Sequence, residues 1–141
     1  WSLIQQDQTI KAAALSADSK WLATGSLDNT VRVWDISGKQ PEMKVKMDFP
    51  RSIRDLSFSG DGAFLTAFSN ANDIVLFDAV KGEKVKAWRF APQGNSEYAT
   101  GAMYLVFSAS AAAPDGRHVA FSNNTSKAVI LRMPVKGKPK K

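Results

Sequence analysis

The sequence contains no cysteine and only one histidine among its 141 residues. The lack of cysteine excludes disulfide scaffolds, thiolate metal sites and thiol nucleophiles. The single His118 excludes a metal site built from several histidines of one chain. The longest mainly apolar stretch, residues 101–113, is shorter than the roughly 20 residues that cross a bilayer, and no apolar stripe has helical spacing. We therefore expect no metal, no cofactor and little helix.

The chain has few acidic residues relative to basic ones, which gives a net charge of +6. Four of the lysines lie in the last six residues, 136–141, so the excess is concentrated in a tail. A lysine tail on a nearly balanced body does not favour a nucleic-acid-binding surface. The sequence leaves membrane contact open.

The sequence repeats itself at a spacing of 43 residues. Residues 10–16 align with 53–59, and the closing segment 31–35 aligns with 74–78. A third copy lies 54 residues further on, with extra length around 91–101 and 108–114. A repeat of this length is typical of arrays in which each unit needs its neighbours to bury its apolar surface.

Each copy consists of short segments rich in apolar and β-branched residues, separated by turn residues. In the first copy these segments are 11–16, 21–26 and 30–35, and a fourth, 43–49, alternates between apolar and charged residues. Asp61-Gly62 and Asp115-Gly116 suit tight hairpins. The pattern predicts an all-β chain of antiparallel four-stranded units.

The first copy also carries a more specific pattern. Residues 22–35 contain the paired turn Asp28-Asn29 and end in Trp34-Asp35. This run resembles a WD repeat of a β-propeller, and the resemblance extends over residues 9–133. Phe77-Asp78 and Leu131-Arg132 replace the closing pair in the later copies, and the Gly-His pair typical of the family is absent. The resemblance implies a β-propeller segment of about three four-stranded blades, as part of a larger propeller.

The expected organisation has six parts. They are the last strand of a preceding blade (1–8), blade 1 (9–50), blade 2 (51–91), a loop insertion (92–101), an incomplete blade 3 (102–134) and a basic tail (135–141). Propellers usually close with four to eight blades. We favour a fragment of a longer propeller. The alternatives are a second chain that supplies the other blades, or two copies that close a six-bladed ring, with residues 1–5 of each completing the other's third blade.

Members of the WD family join a turn Asp, a strand Ser or Thr, the Trp and the missing His in a hydrogen-bonded network. The resemblance therefore implies a blade-stabilising role for Thr24, Ser26, Asp28, Trp34, Asp35, Phe77 and Asp78. His118 aligns with Trp21 and Phe64, so we expect it to fill an aromatic position. The carboxylates lie singly at repeat turns, and no nucleophile stands near a base. We expect no catalytic residues.

Loops on a rigid scaffold are suited to recognition. By resemblance, the face used most often is formed where each first strand begins and in the turn before each third strand. We expect a protein partner with an acidic surface to bind there, at Lys11, Leu27, Arg51, Arg54 and Asn70. Other blades, from the same parent chain or another chain, are the second expected partner.

The leading functional hypothesis is a non-enzymatic WD-repeat scaffold for protein–protein interaction in the cytoplasm. A first alternative is a guanine-nucleotide exchange factor for a Sar-type small GTPase in vesicle traffic, on the cytosolic face of the endoplasmic reticulum. It depends on a similarity of residues 53–59, and of the widely separated first strands of the third copy, to the ER-bound propeller exchange factor. A second alternative is an RNA- or ribosome-associated propeller that uses the lysine tail.

Overall fold

Eleven strands, and no helix, occur in the residues that the computed structural model describes, which are 4–69, 73–89, 107–113, 118–123 and 128–132. They form three antiparallel sheets in which sequence neighbours pair. Blade 1 comprises β1 (Ile10–Leu15), β2 (Trp21–Ser26), β3 (Thr30–Asp35) and β4 (Glu42–Asp48). Blade 2 comprises β5 (Ile53–Phe58), β6 (Phe64–Ser69), β7 (Asp73–Asp78) and β8 (Lys84–Arg89). Blade 3 has β9 (Phe107–Ala112), β10 (His118–Asn123) and β11 (Ala128–Arg132). The predicted all-β, propeller-type architecture is confirmed.

A repeated Ser-x-Asp turn closes the first hairpin of blades 1 and 2. The Ser16 hydroxyl donates to Asp18 Oδ1 over 2.6 Å and accepts the Trp21 amide over 3.0 Å. Ser59 makes the same two bonds, to Asp61 and from Phe64. The hydrogen bond from Ser16 lowers the pKa of Asp18. These local bonds fix where each second strand begins.

Blade 2 is buried on both faces because it lies between the other two blades. One face carries Leu65, Ala67, Val75 and Phe77, which pack in a core with blade 1. The opposite face carries Phe64, Phe68, Ile74 and Leu76, which pack in a second core with Val119 and Phe121 of blade 3. All twelve residues of β6 and β7 are buried. Covering on both faces explains why these strands read as continuous apolar runs rather than alternating ones.

Gly25 is the point of closest approach between blades 1 and 2. A Cβ atom at this position would lie 2.7 Å from Ile53 Cβ, and closer still to Ile53 Cγ2. Gly25 is buried in β2, while Ile53 opens β5 of the next blade. The glycine is therefore required for space at the interface between the two sheets.

Residues 4–9 form no strand. Instead, Gln6 Nε2 donates to Thr30 Oγ1 over 3.2 Å, and the Ser26 hydroxyl donates to the Gln8 carbonyl over 3.1 Å. The segment thus lies against blade 1 itself. The expectation that 1–8 forms the last strand of a preceding blade finds no support in residues 4–8, and residues 1–3 lie outside the described part. The insertion 92–101 and the tail 135–141 also lie outside it.

The predicted blade-stabilising network of blade 1 divides into two groups. The Trp34 indole donates to Thr24 Oγ1 over 2.8 Å, which gives the half-buried ring its polar partner. Asp28 bonds elsewhere: its Oδ1 accepts the Thr30 amide at 2.9 Å and the Thr30 hydroxyl at 2.7 Å. Ser26 accepts the Asp28 amide over 3.2 Å.

Arg32, which the sequence analysis did not single out, completes the second group. Its guanidinium lies 2.5 Å from Asp7 Oδ2 and 3.4 Å from Asp28 Oδ2. The side chains of Arg32 and Asp28 are only 11% and 9% exposed. Burial alone raises the pKa of Asp28, but the hydrogen bonds from Thr30 and Ser26, together with the Arg32 charge, hold that pKa below its usual value.

The later blade-stabilising residues act at strand ends. Asp35 accepts the amide and hydroxyl of Ser37, which lowers the pKa of Asp35. Asp78 Oδ1 accepts the amides of Val80 and Lys81, closing the turn to β8. Phe77 is buried and packs against Phe49, with ring centroids 6.3 Å apart.

Substitution of Gly25 by Ala tests the interface between blades 1 and 2. We expect Gly25→Ala to lower the free energy of unfolding by roughly 1–3 kcal/mol, because the new methyl group overlaps Ile53. The matched control is Gly38→Ala, where the nearest atom to the new Cβ is 3.7 Å away. Urea denaturation measures both, and equal stability of the two variants would contradict the close packing.

Substitution of Asp28 by Asn tests the buried charge group. We expect Asp28→Asn to lower the free energy of unfolding at pH 7 by on the order of 2 kcal/mol, because Arg32 loses a partner. The folded protein holds the pKa of Asp28 below 3.8, so its stabilisation is complete above that pH and is lost as the pH falls through the lower, folded value.

The stability difference between wild type and Asp28→Asn should therefore shrink as the pH is lowered below about 4, a limit set by the usual Asp value. Denaturation at several pH values measures it. The exposed Asp48 supplies the control variant Asp48→Asn. A wild-type advantage over Asp28→Asn that stays constant through this pH range would contradict the assignment.

Candidate functional site

The first strand of each blade contains a β-bulge at its second residue. In β1 the pairing with β2 shifts between Ile10 and Ala12, which leaves Lys11 as the extra residue. In β5 the same shift leaves Arg54. In β9 the pairing with β10 shifts so that Ser108 is extra. Bulges redirect side chains and recur next to functional sites. Both Lys11 and Arg54 are exposed.

The other predicted binding residues lie near the same strand starts. Leu27 is 37% exposed, and its amide donates to the Thr9 carbonyl just before β1. Arg51 is exposed, two residues before β5. Asn70 lies outside the described residues. The structure thus places Lys11, Leu27, Arg51 and Arg54 where strands begin or loops meet them, and we refer to these four residues as the upper rim.

Asp73 joins Arg51 to an arginine that the sequence analysis missed. The repeat pattern predicts Asp73 in the turn before the third strand, but it is the first residue of β7 and its side chain is 7% exposed. Arg89 Nε donates to Asp73 Oδ1 over 2.7 Å, and Arg51 Nε lies 3.7 Å from Asp73 Oδ2. Arg89 is the cross-strand partner of Asp73. Aligning the fourth strand against the third would have revealed this pair.

A groove runs along the outer side of the junction between blades 1 and 2. It consists of two adjoining cavities, of about 420 Å³ and about 280 Å³, which share Pro50, Val75 and Ala87. The first extends towards Lys84 and the second towards Arg89. The full lining is Met47, Asp48, Phe49, Pro50, Asp73, Val75, Phe77, Gly82, Lys84, Ala87, Trp88 and Arg89. We call this the outer groove.

A smaller cavity of about 220 Å³ opens at the opposite end of the same junction. Trp21, Val45, Phe58 and Val80 contribute its mainly apolar wall. Lys44 also lines it, and the Glu42 carboxylate 2.6 Å away raises the pKa of that lysine. The one charged residue of the cavity lining is therefore held in an ion pair.

The face of blade 1 that points away from blade 2 carries an exposed apolar row. Strand register places Leu15, Leu22, Trp34 and Met43 side by side across the four strands. Leu15 is 61% exposed and Met43 is 50% exposed. The corresponding row of blade 2, which includes Phe58, Leu65 and Phe77, is buried against blade 1. An equivalent row is thus covered in one blade and open in the other.

Metal-ligating side chains are scattered among the described residues. Among them, no group of three or more His, Asp or Glu side chains is placed to hold a metal ion. His118 opens β10 and is half-buried, in register with Arg132. None of the described residues belongs to a helix long and apolar enough to cross a membrane. The geometry assembled by this part of the chain is one of surfaces and grooves.

Comparison with known proteins agrees with this geometry. Residues 2–35 match the family model of the WD domain, G-beta repeat. Protein HIR1 of Mycosarcoma maydis is 34% identical over 76 residues, which is 48% of this chain and 8% of that protein. Eukaryotic translation initiation factor 3 subunit I of Coccidioides immitis is 39% identical over 67 residues, or 44% of this chain and 19% of that protein.

Two further matches cover more of the chain. Target of rapamycin complex subunit wat1 of Schizosaccharomyces pombe is 25% identical over 124 residues, covering 88% of this chain and 35% of that protein. The crystal structure of Sqt1 from Saccharomyces cerevisiae superposes with a TM-score of 0.67 at 15% identity, over 86% of this chain and 31% of that one. The chain spans about a third or less of each of these proteins. It carries a WD, G-beta repeat in residues 2–35, and its fold is that of WD-repeat propeller blades.

Proposed function

We propose that this chain is part of a non-enzymatic WD-repeat scaffold that binds a protein partner through its upper rim. The observation that carries the proposal is the bulge repeated in the first strand of all three blades. It presents Lys11 and Arg54 as exposed cations at equivalent places on neighbouring blades. The rigid sheet fixes the backbone from which these side chains extend, so a partner need not order a loop when it binds.

The charge of the upper rim favours an acidic partner. Lys11, Arg51 and Arg54 are all basic and exposed. Arginine is enriched among the residues that contribute most to binding at protein interfaces, because its planar group pairs with carboxylates in a bidentate manner. Two of the relatives are themselves named as subunits, of a translation initiation factor and of a target of rapamycin complex. A role within an assembly is consistent with those names.

Further blades are the second kind of partner in this proposal. The exposed row of Leu15, Leu22, Trp34 and Met43 supports it, since the equivalent row of blade 2 is buried by a neighbouring blade. That these blades come from the same polypeptide, or else from another chain, stays a prediction. None of the relatives described above supports the exchange-factor alternative. The RNA- or ribosome-associated alternative depends on the tail, which lies outside the described residues.

Charge reversal on the upper rim tests the scaffold function. We expect wild-type protein to capture a reproducible set of proteins from a cell extract, and Lys11→Glu/Arg54→Glu to lose at least about ten-fold of that signal. The physical reason is that two attractive charges become repulsive ones towards an acidic partner. Quantitative mass spectrometry of the captured proteins makes the measurement.

The matched control reverses the charge of Lys20 and Lys39, which are exposed in loops away from the upper rim. Lys20→Glu/Lys39→Glu changes the net charge by the same amount and should retain the captured set. Equal losses in the two double variants would show that net charge rather than the upper rim determines capture, and would reject the proposal.

A further inference from the structure

The outer groove combines an apolar floor with cations at both ends. Val75, Phe77 and Ala87 lie along it from blade 2, while Met47, Phe49 and Pro50 close it from blade 1. Lys84 opens β8 at one end and Arg89 closes the same strand at the other. These two cations lie opposite Phe77 and Asp73, which are four residues apart on β7, because Val85 is an extra residue in β8. The separation is therefore about 13 Å. The groove therefore has the length of a short extended peptide.

At one end of the groove, Arg51 and Arg89 are positioned to bind an anion. Asp73 is buried, and its two carboxylate oxygens face the Nε atoms of Arg89 and Arg51. Those side chains are 67% and 58% exposed. Because Asp73 engages them through Nε, their terminal nitrogens can still donate to a ligand. One buried carboxylate thus holds two guanidinium groups side by side and leaves them with a net positive charge, which suits bidentate recognition of a carboxylate.

We infer that the outer groove binds an extended acidic peptide segment of a partner protein, with apolar residues in the middle and carboxylates about four residues apart at its ends. The central side chains would pack on Pro50 and Ala87, which are exposed and line both cavities. The carboxylates would meet Lys84 at one end and the Arg51–Arg89 pair at the other. This inference rests on the proposed scaffold function and adds a second surface, which shares Arg51 with the upper rim.

The floor of the groove favours a peptide over a nucleic acid. Single-stranded nucleic acids are bound by stacking bases on exposed aromatic rings. Phe49 and Phe77 in this groove are 5% and 3% exposed, so neither presents a ring face to solvent. Trp88 is half-buried, and the Lys86 ammonium lies over its ring at 5.1 Å. The apolar surface that remains is aliphatic, as an apolar peptide side chain requires.

The test uses the full chain and a fluorescein-labelled nonapeptide in which Leu-Val-Leu stands between two pairs of aspartates, with one glycine at each end. Fluorescence anisotropy should show saturable binding that weakens as salt is added. A peptide with asparagine in place of every aspartate should bind at least about ten-fold more weakly, as should one with serine in place of Leu-Val-Leu. Equal affinity for the aspartate and asparagine peptides, or no binding of the aspartate peptide, would overturn the inference.

Variants of the groove locate the binding. The double variant Arg51→Ala/Lys84→Ala removes one cation at each end of the groove. Arg89 stays in place, so the buried Asp73 carboxylate keeps the nearer of its two arginine partners. We expect at least about a ten-fold loss of affinity, with no loss in the control Lys20→Ala/Lys39→Ala.

Ala87 is exposed on the groove floor. Ala87→Glu should weaken binding several-fold more than the isosteric Ala87→Gln, because only the former repels the peptide carboxylates.

The outcomes separate this inference from the proposed function. Protein capture that depends on Lys11 and Arg54, without binding of the nonapeptide, would reject the outer groove and leave the scaffold function standing. Equal peptide affinity in the groove and control variants would place the peptide elsewhere and reject the groove. If an oligouridylate binds more tightly than the nonapeptide, and the same groove variants abolish that binding, the ligand of the groove is a nucleic acid and the inference is wrong.

Discussion

The packing of one sheet face on the next is the interaction on which the rest of this structure depends. A single four-stranded antiparallel sheet cannot bury both of its faces, and blade 2 does so because blades 1 and 3 cover it. Fully burying one large apolar side chain contributes roughly 1.5–3 kcal/mol. Each of these interfaces contains several such residues, so the interfaces outweigh the local turns and hydrogen bonds within a blade. Gly25 shows how close the approach is, since the Ile53 side chain occupies the space of its missing Cβ.

The binding surfaces follow from this stacking. Blades 1 and 2 are closest together at their first strands, β1 and β5, and lie further apart at β4 and β8. This separation leaves the outer groove at the junction. The bulges lie at the starts of β1 and β5, where the two blades are closest. They place exposed cations of the two blades at equivalent positions. Blades 1 and 2 each contain a cluster of paired charges. In blade 1 Asp28 pairs with Arg32, and in blade 2 Asp73 pairs with Arg51 and Arg89. Asp73 aligns with Thr30 rather than with Asp28, so the two clusters stand at different repeat positions.

Much of the fold could be predicted because the repeat constrains it. The 43-residue spacing, the Asp turns and the closing Trp34-Asp35 predicted strands whose bounds agree with the structure to within one or two residues. The resemblance to the WD family implied Thr24 or Ser26 as the hydrogen-bond partner of Trp34, and the structure shows Thr24. The roles of Arg32 and Arg89 could not be predicted, because an isolated arginine in a strand gives no sign of which carboxylate lies across the sheet or in a covering segment. The bulges at Lys11 and Arg54 were hidden for a related reason: an extra residue in a strand is visible only when the pairing register is known.

Native-state hydrogen exchange tests the central claim most directly. Strands β2 and β3 of blade 1 and strands β6 and β7 of blade 2 are all central strands with a neighbour on each side. They differ in that blade 2 is covered on both faces, whereas blade 1 exposes the row that includes Leu15 and Met43. If stacking dominates, amides of β6 and β7 exchange at least about ten-fold more slowly than those of β2 and β3. Equal exchange in the two pairs of strands, or faster exchange in β6 and β7, would contradict the account.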